Sequence, residues 1–311
     1  MLAAFLSGCA VVEDRPSTEQ SSAPSPIPES IPPSNAEMAE PDSAVSQTEE
    51  APPTTAPDSE TDVHPYLAEL VADIVEEIST PEMSEYERTK AAFDYMIEHT
   101  YLDEPIGLDL WRIHSGGEQP IPFVEQRALS PLRFGVGMCE DYAAALTLLL
   151  RGMGLEAQYV PGLTYSAEGH LVDHAWTVVK IDRVWYHLDS QLEDNISRRG
   201  SVRYRYFLKG DATLSGSHRW GQNLIDSGLL MSEQNVEIAE HYLTPACPQD
   251  YPTPERLELG ETLAPDLDEL RRQAEEEIVA WEQENGPLPE MELNTAPPVF
   301  GLAGYGPANE G

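Results

Sequence analysis

Cys139, His174 and Asp189 are the residues whose types and settings could together perform covalent chemistry. Cys139 follows two glycines, Gly135 and Gly137. It opens a run, Glu140 to Arg151, where Ala143, Leu146, Thr147, Leu150 and Met153 recur at near-helical spacing. A thiol on the first turn of a buried helix lies among unpaired N–H groups, at the positive end of the dipole. Both favour its thiolate. His174 stands in LVDHAWTVVKI and Asp189 near the end of VWYHLDS. These apolar segments, joined by a turn at Asp182-Arg183, predict two antiparallel strands that set an imidazole beside a carboxylate. The three would then be nucleophile, base and orienting acid. Taken singly, each has a plainer account: a small buried cysteine, a strand histidine bonded to a carbonyl, and a turn aspartate.

The stretch before the cysteine, Pro105 to Leu132, has glycines, prolines and no sustained period, so it reads as a long loop able to line a cleft. Trp111, His114 and Phe123 are its candidate wall residues. Gln126 could supply an oxyanion donor beside the backbone N–H of Cys139. His170 and His174 are four apart, which on a strand separates them by about 13 Å. No paired cysteines or HExxH accompany them. Neither a metal nor an organic cofactor is expected.

The pieces GVGMCEDYAAAL, GLEAQYVPG, DHAWTVV and VWYHLDS resemble, in this order, the pattern of the bacterial transglutaminase-like superfamily. The later YFLKGDATLSGSHRW, Tyr206 to Trp220, is similar to a segment that follows the core in many Gram-positive members. The resemblance covers about Tyr66 to Trp220. It implies an α+β fold of papain-like type, with N-terminal helices and a cysteine-bearing helix packed on an antiparallel sheet. It carries the catalytic roles over to Cys139, His174 and Asp189, and puts Tyr142 and Trp176 among the oxyanion or cleft residues beside Gln126 and Trp111. It implies little about substrate, because the superfamily holds cross-linking enzymes, peptidases, amidases and members without catalysis.

The elements that must position these residues are legible to different degrees. A helix is expected over Pro65 to Ile78, with Tyr66, Leu67, Leu70, Val71, Ile74 and Ile78 as its apolar stripe. Ser84 and Glu87 predict a capping box for a second helix that ends near His99. LEAQYVP reads as a short strand, TYSAEGHLVD as a loop at the cleft mouth, and Arg203 to Leu208 alternates like a further strand. Arg198, Arg199, Arg203 and Arg205 form the one dense basic cluster, which suits either ion pairs on a solvated face or an acidic partner. The segment from 244 to 311 reads as an acidic, proline-rich tail with one amphipathic helix at about 266–285, capped by Asp266, and a mobile end from Leu288.

At the other end, residues 1–9 resemble part of a lipoprotein signal peptide with its lipobox, Leu6-Ser7-Gly8-Cys9. No Lys or Arg precedes Cys9, so the expected explanation is a start codon assigned too far downstream. Residues 10–62, rich in Pro, Ser, Thr and Glu, read as a disordered acidic tether, and 63–243 as the folded domain. With 18 Lys plus Arg against 55 Asp plus Glu, the net charge of −37 argues against nucleic-acid binding. It also argues against adhesion to bare anionic lipid. Membrane attachment would rest on a lipid at Cys9. The reading is of a lipid-anchored protein outside the cytoplasm whose substrate is a protein or peptide, cell-wall peptides included. The alternative is a surface binding or scaffold module without turnover. Three cysteines make no disulfide framework, and Cys247 is expected unpaired in the tail.

Overall fold

In the computed structural model, residues 63–115, 121–197, 200–230, 232–259, 264–291, 293 and 300 are described. The expected lipobox at Cys9, the expected tether over 10–62 and the pair Arg198-Arg199 lie outside them. Helix α1, Pro65–Ile78, starts at a proline preorganised for the first turn and buries Leu67, Val71 and Ile74. Helix α2, Glu85–His99, has the expected reciprocal capping box. Ser84 Oγ accepts from the Glu87 N–H, and the Glu87 carboxylate accepts from the Ser84 N–H at 2.8 Å.

Much of the expected loop at 105–132 is helical. A short turn at Trp111–His114 is followed by helix α3, Phe123–Phe134. Pro120 and Pro122 obscure this helix in sequence, yet Pro122 is its N-cap, where no intrahelical N–H is needed. Pro131 sits in the last turn, and its carbonyl still accepts from Gly135. Gly135 ends the helix at φ 63, and a Cβ there would lie 2.4 Å from the His99 carbonyl oxygen. Only glycine combines that backbone with that approach.

Helix α4, Cys139–Gly152, is the hub of the domain. Every residue from Asp141 to Leu150 is buried, and α1, α2 and α3 all pack on it. Its further contact is a four-stranded antiparallel sheet made of β1 (Ala157–Tyr165), β2 (Leu171–Ile181), β3 (Val184–Leu188) and the short β4 (His218–Arg219), in the order β3-β2-β1-β4. The β1–β2 turn at Ser166–His170 is a tight hairpin rather than an open loop. Two threonines rivet helix to sheet. Thr177 Oγ1 donates to the Ala143 carbonyl at 3.0 Å and lies 3.1 Å from Thr147 Oγ1. Side chains alternate along β2, so Ala175, Val179 and Ile181 join the core with α4. Trp176 and Val178 join a second cluster with Val160, Leu214, Trp220 and Cys247.

Arg203 to Leu208 is not a strand. After Ser201–Val202 the backbone turns, with positive φ at Tyr204 and Leu208. The cause is Glu193, a buried carboxylate that accepts the N–H groups of Arg203 and Tyr206 at 3.0 and 2.9 Å. A buried carboxylate needs such donors, and backbone amides wrapped around it supply them.

The boundary expected at 243–244 also gives way. Cys247 is fully buried in the cluster with Trp176 and Trp220, and Leu257–Glu258 pairs with Ser201–Val202. The helix Leu267–Asn285 packs Leu267, Leu270, Ala274 and Ile278 on the main core. Its Glu277 bridges Arg133 of α3 and His114. In the segment expected to be a mobile end, Met291 and Leu293 pack on the main core and Phe300 is buried in a satellite cluster.

Candidate active site

Cys139 is the first residue of α4, and its side chain is 7 % exposed. The turn is held by Asp141, whose carboxylate reaches back to the Met138 N–H at 2.7 Å. Arg127, from α3, clamps this start from below. Its guanidinium lies 2.7 Å from Asp141 Oδ1 and 3.0 Å from Glu140 Oε1. The other oxygen of Glu140 accepts from Cys139 Sγ at 3.1 Å.

His174 is buried, and its Nε2 lies 2.7 Å from Asp189 Oδ2. Among the described residues its Nδ1 has no other partner at ordinary hydrogen-bond geometry and is the nitrogen that faces the thiol. Burial alone would pull the imidazole pKa down. The charge of Asp189 and the bond to it outweigh that, and a hydrogen bond and charge from Cys139 add to them, lifting it to about 10. The arrangement therefore favours the charged imidazolium at His174.

Asp189 caps a helix absent from the sequence expectation, α5, Ser190–Ser197. Its Oδ1 accepts from the Leu192 N–H at 2.9 Å, which orients Oδ2 toward the histidines and exposes the carboxylate to the positive end of the helix. Burial would raise the Asp189 pKa. The charge and bond of His174, then of His218, instead hold it below the usual carboxylate range.

His218 was missed in sequence. Its Nε2 lies 2.9 Å from the same Asp189 Oδ2, and its Nδ1 lies 2.8 Å from Ser217 Oγ. Behind it, Trp176 donates its indole N–H to His187 Nδ1 at 3.0 Å, and His187 Nε2 meets Asp211 Oδ1 at 2.9 Å. Trp176 is thus a buried backing to the His174 ring, 6.0 Å away between centroids. Gly162 makes room for it, since a Cβ there would come within 2.5 Å of the indole and 2.4 Å of the Arg219 carbonyl.

The other sequence candidates lie elsewhere. Gln126 is buried and donates its amide to the Ile121 carbonyl, so it does not supply the expected oxyanion donor. Trp111 is wholly buried and donates to the Gln126 carbonyl at 3.2 Å; it is core, not cleft wall. Tyr142 pegs the cysteine helix, donating within reach of the Thr100 carbonyl at 2.8 Å and Asp194 at 2.7 Å. His114 stacks on Tyr66 and faces Glu277. Phe123 packs edge-on to Tyr159, whose buried hydroxyl has no partner among the described residues. Arg127, Glu140 and Asp141 were also missed. The pair Glu140-Asp141 directly after the cysteine was the one local signal, and nothing in the sequence tied Arg127 to it.

Among the described residues, two groups bring metal-ligating atoms within 4.8 Å of one another: His174, Asp189 and His218, and His187, Asp211 and Cys247. Hydrogen bonds account for both. The Trp176 N–H fixes the His187 proton on Nε2, and a metal there would require that proton to move onto a nitrogen already facing a donor.

Residues 72–190 match the family model of the transglutaminase-like superfamily. No curated protein matches the chain. Among solved structures, the chain is similar to a TGase crystal structure at 22% identity and TM-score 0.29, covering 40% of this chain and 31% of that one. It is also similar to the arylamine N-acetyltransferase NAT3 of Bacillus cereus, described as having a Cys-His-Glu catalytic triad. That match has 15% identity and TM-score 0.28, covering 40% of this chain and 48% of that one. The chain thus spans less than half the length of either structure.

Proposed function

From a transglutaminase-like superfamily domain over residues 72–190, we propose that this protein is a thiol enzyme acting on peptide or protein amides. The observation that carries the proposal is the 2.7 Å contact of His174 Nε2 with Asp189, which leaves Nδ1 as the ring nitrogen for Cys139. The Cys139 thiolate attacks the amide carbonyl, and the backbone N–H of Cys139 at the start of α4 serves as an oxyanion donor. The His174 imidazolium gives its proton to the leaving amine as the C–N bond breaks, leaving a thioester on Cys139. Water, or a second amine, then attacks the thioester and returns a proton to His174. Water makes the protein a peptidase or amidase; a lysine amine makes it a cross-linking enzyme.

The substrate class is protein or peptide, with cell-wall peptides as the first to test. Cys9 in Leu6-Ser7-Gly8-Cys9 supports lipid anchoring outside the cytoplasm. Mass spectrometry of the native product should find acyl groups on Cys9 in the membrane fraction, and an unmodified Cys9 in soluble protein would remove the anchor.

The near-closure of Cys139, 7 % exposed with its thiol on Glu140, favours a second reading: a binding or scaffold module that retains the triad's outline. Incubation with peptide and glutamine-amide libraries, with and without added amine, separates the two. An adduct on Cys139 that is absent in Cys139→Ala supports the enzyme. The lack of an adduct from any substrate, with an unreactive thiol, supports the module.

A further inference from the structure

Asp189 Oδ2 serves two histidines. His174 Nε2 lies 2.7 Å from it and His218 Nε2 lies 2.9 Å from it, and all three side chains are at most 1 % exposed. The second histidine comes from β4, the edge strand that pairs Thr164 with His218. It belongs to a part of the chain beyond residues 72–190.

We propose that His218 is a positioning residue of the site: neutral, with its proton on Nε2, it donates to Asp189 Oδ2 and holds that oxygen on His174. The inference rests on the triad reading above and adds a fourth member to it. The direction of the bond follows from the neighbours. A carboxylate oxygen only accepts, so His218 Nε2 must carry a proton to face it at 2.9 Å. Ser217 Oγ, 2.8 Å from Nδ1, can then donate to the free lone pair. Another acceptor within its reach, the Leu214 carbonyl, is more distant at 3.4 Å, and the Tyr206 hydroxyl is a third partner.

The charges around the ring agree. Burial lowers the His218 pKa, and the charges of His174 and His187 lower it further, against the raising effect of Asp189. Tyr206, whose ring centroid is 5.8 Å away, is itself kept protonated by burial and by Asp189. The imidazolium thus resides on His174. Asp189, fixed by Leu192 N–H on Oδ1 and His218 N–H on Oδ2, cannot swing away from it. A second cation would have shared the carboxylate charge, whereas a neutral donor fixes the oxygen and leaves the charge to His174.

The test needs no substrate. Full-length protein is alkylated at Cys139 with iodoacetamide from pH 4 to 10, and rates are read by mass spectrometry in wild type, His174→Ala, His218→Leu and His218→Gln. Wild type faster than His174→Ala upholds the triad, and equal rates there would sink the triad reading itself. With the triad upheld, His218→Leu should lower the rate at pH 6 by roughly threefold to tenfold, about the net worth of one ordinary hydrogen bond. The midpoint of thiolate formation should move to higher pH, because a loosened Asp189 supports the imidazolium less. His218→Gln, which keeps an N–H donor, should recover most of the loss. A folded His218→Leu protein whose pH–rate profile superimposes on that of wild type would overturn the proposal, as would a Gln variant no better than Leu. Should His218→Leu not fold, the imidazole ¹⁵N spectrum of the native chain decides. A neutral ring with the proton on Nε2 supports the role, and a proton on Nδ1 or a charged ring at pH 7 excludes it.

Discussion

Arg127 and Asp141 form an ion pair, 2.7 Å between Nε and Oδ1, sealed from solvent under the first turn of the cysteine helix. The pair joins α3 to α4 at the point where the nucleophile emerges. Its geometry carries more than attraction, because Asp141 also holds the Met138 N–H and Arg127 also holds Glu140, the acceptor of the Cys139 thiol.

Breaking the pair should therefore cost stability and disturb the thiol together. Arg127→Met leaves a buried carboxylate uncompensated, and the expected loss is about 3–5 kcal/mol by chemical denaturation. Adding Asp141→Asn to that variant should restore much of it, since the amide still accepts from Met138 without a charge to balance. A single variant as stable as wild type would show that the pair is not needed.

Reactivity should separate the two described cysteines. Cys247 is wholly buried, and burial, then the neighbouring Asp211 carboxylate, pushes its thiol well above the ordinary range. Iodoacetamide near neutral pH should modify Cys139 faster by about two orders of magnitude. The advantage should shrink in His174→Ala. Comparable labelling of both sites in native protein contradicts the assignment of Cys139 as the nucleophile.

Asp189→Asn should keep the fold, because its amide oxygen can still cap α5 while the amide nitrogen faces the histidines. Acyl-enzyme formation should fall by roughly 10²- to 10⁴-fold, as the amide no longer balances an imidazolium. Turnover at the wild-type rate would remove Asp189 from the mechanism.

The His174–Asp189 pair also predicts how stability responds to pH. His174 is raised to about 10 in the folded protein, against 6.5 as the ordinary value. Between those two pH values the native state binds more protons than the unfolded one, so unfolding free energy falls as pH rises. The contribution is complete below about pH 6.5 and is lost as pH climbs through about 10. Asp189, held low, contributes from its ordinary range upward, and that share is lost only as pH falls through its depressed value. Denaturation measured from pH 6 to 10 should show a decline in wild type that is reduced in His174→Gln. Parallel slopes would show that the imidazole does not titrate there.

Gly162→Ala tests the backing of the site. The added Cβ meets the Trp176 ring at 2.5 Å and the Arg219 carbonyl at 2.4 Å, neither of which can move freely. A loss of about 1–3 kcal/mol is expected, with a change in tryptophan fluorescence. An unperturbed spectrum and melting curve would mean that the indole has room to shift.

What the sequence determined by itself is local. Periodicity located α1, α2 and the cysteine helix, because an apolar stripe at helical spacing must face a core, and Ser84 with Glu87 announced a cap through contacts three residues apart. Alternation marked the strands that carry His174 and lead to Asp189, and their register followed from a turn of two residues. The helix α3 was hidden because Pro120 and Pro122 look like breakers, whereas a proline at the N-cap needs no intrahelical N–H. Arg203 to Leu208 alternated like a strand, but the buried Glu193 claimed its amides, and no local pattern records a carboxylate ten residues away. Tertiary structure alone decided that His218 meets Asp189 and that Arg127 meets Asp141. It likewise decided that Cys247 lies under Trp176 and that the helix Leu267–Asn285 closes on the core. Those partners come from separate elements, and which side chains converge depends on how helices and strands stack, a choice governed by burial over the whole domain rather than by neighbours along the chain.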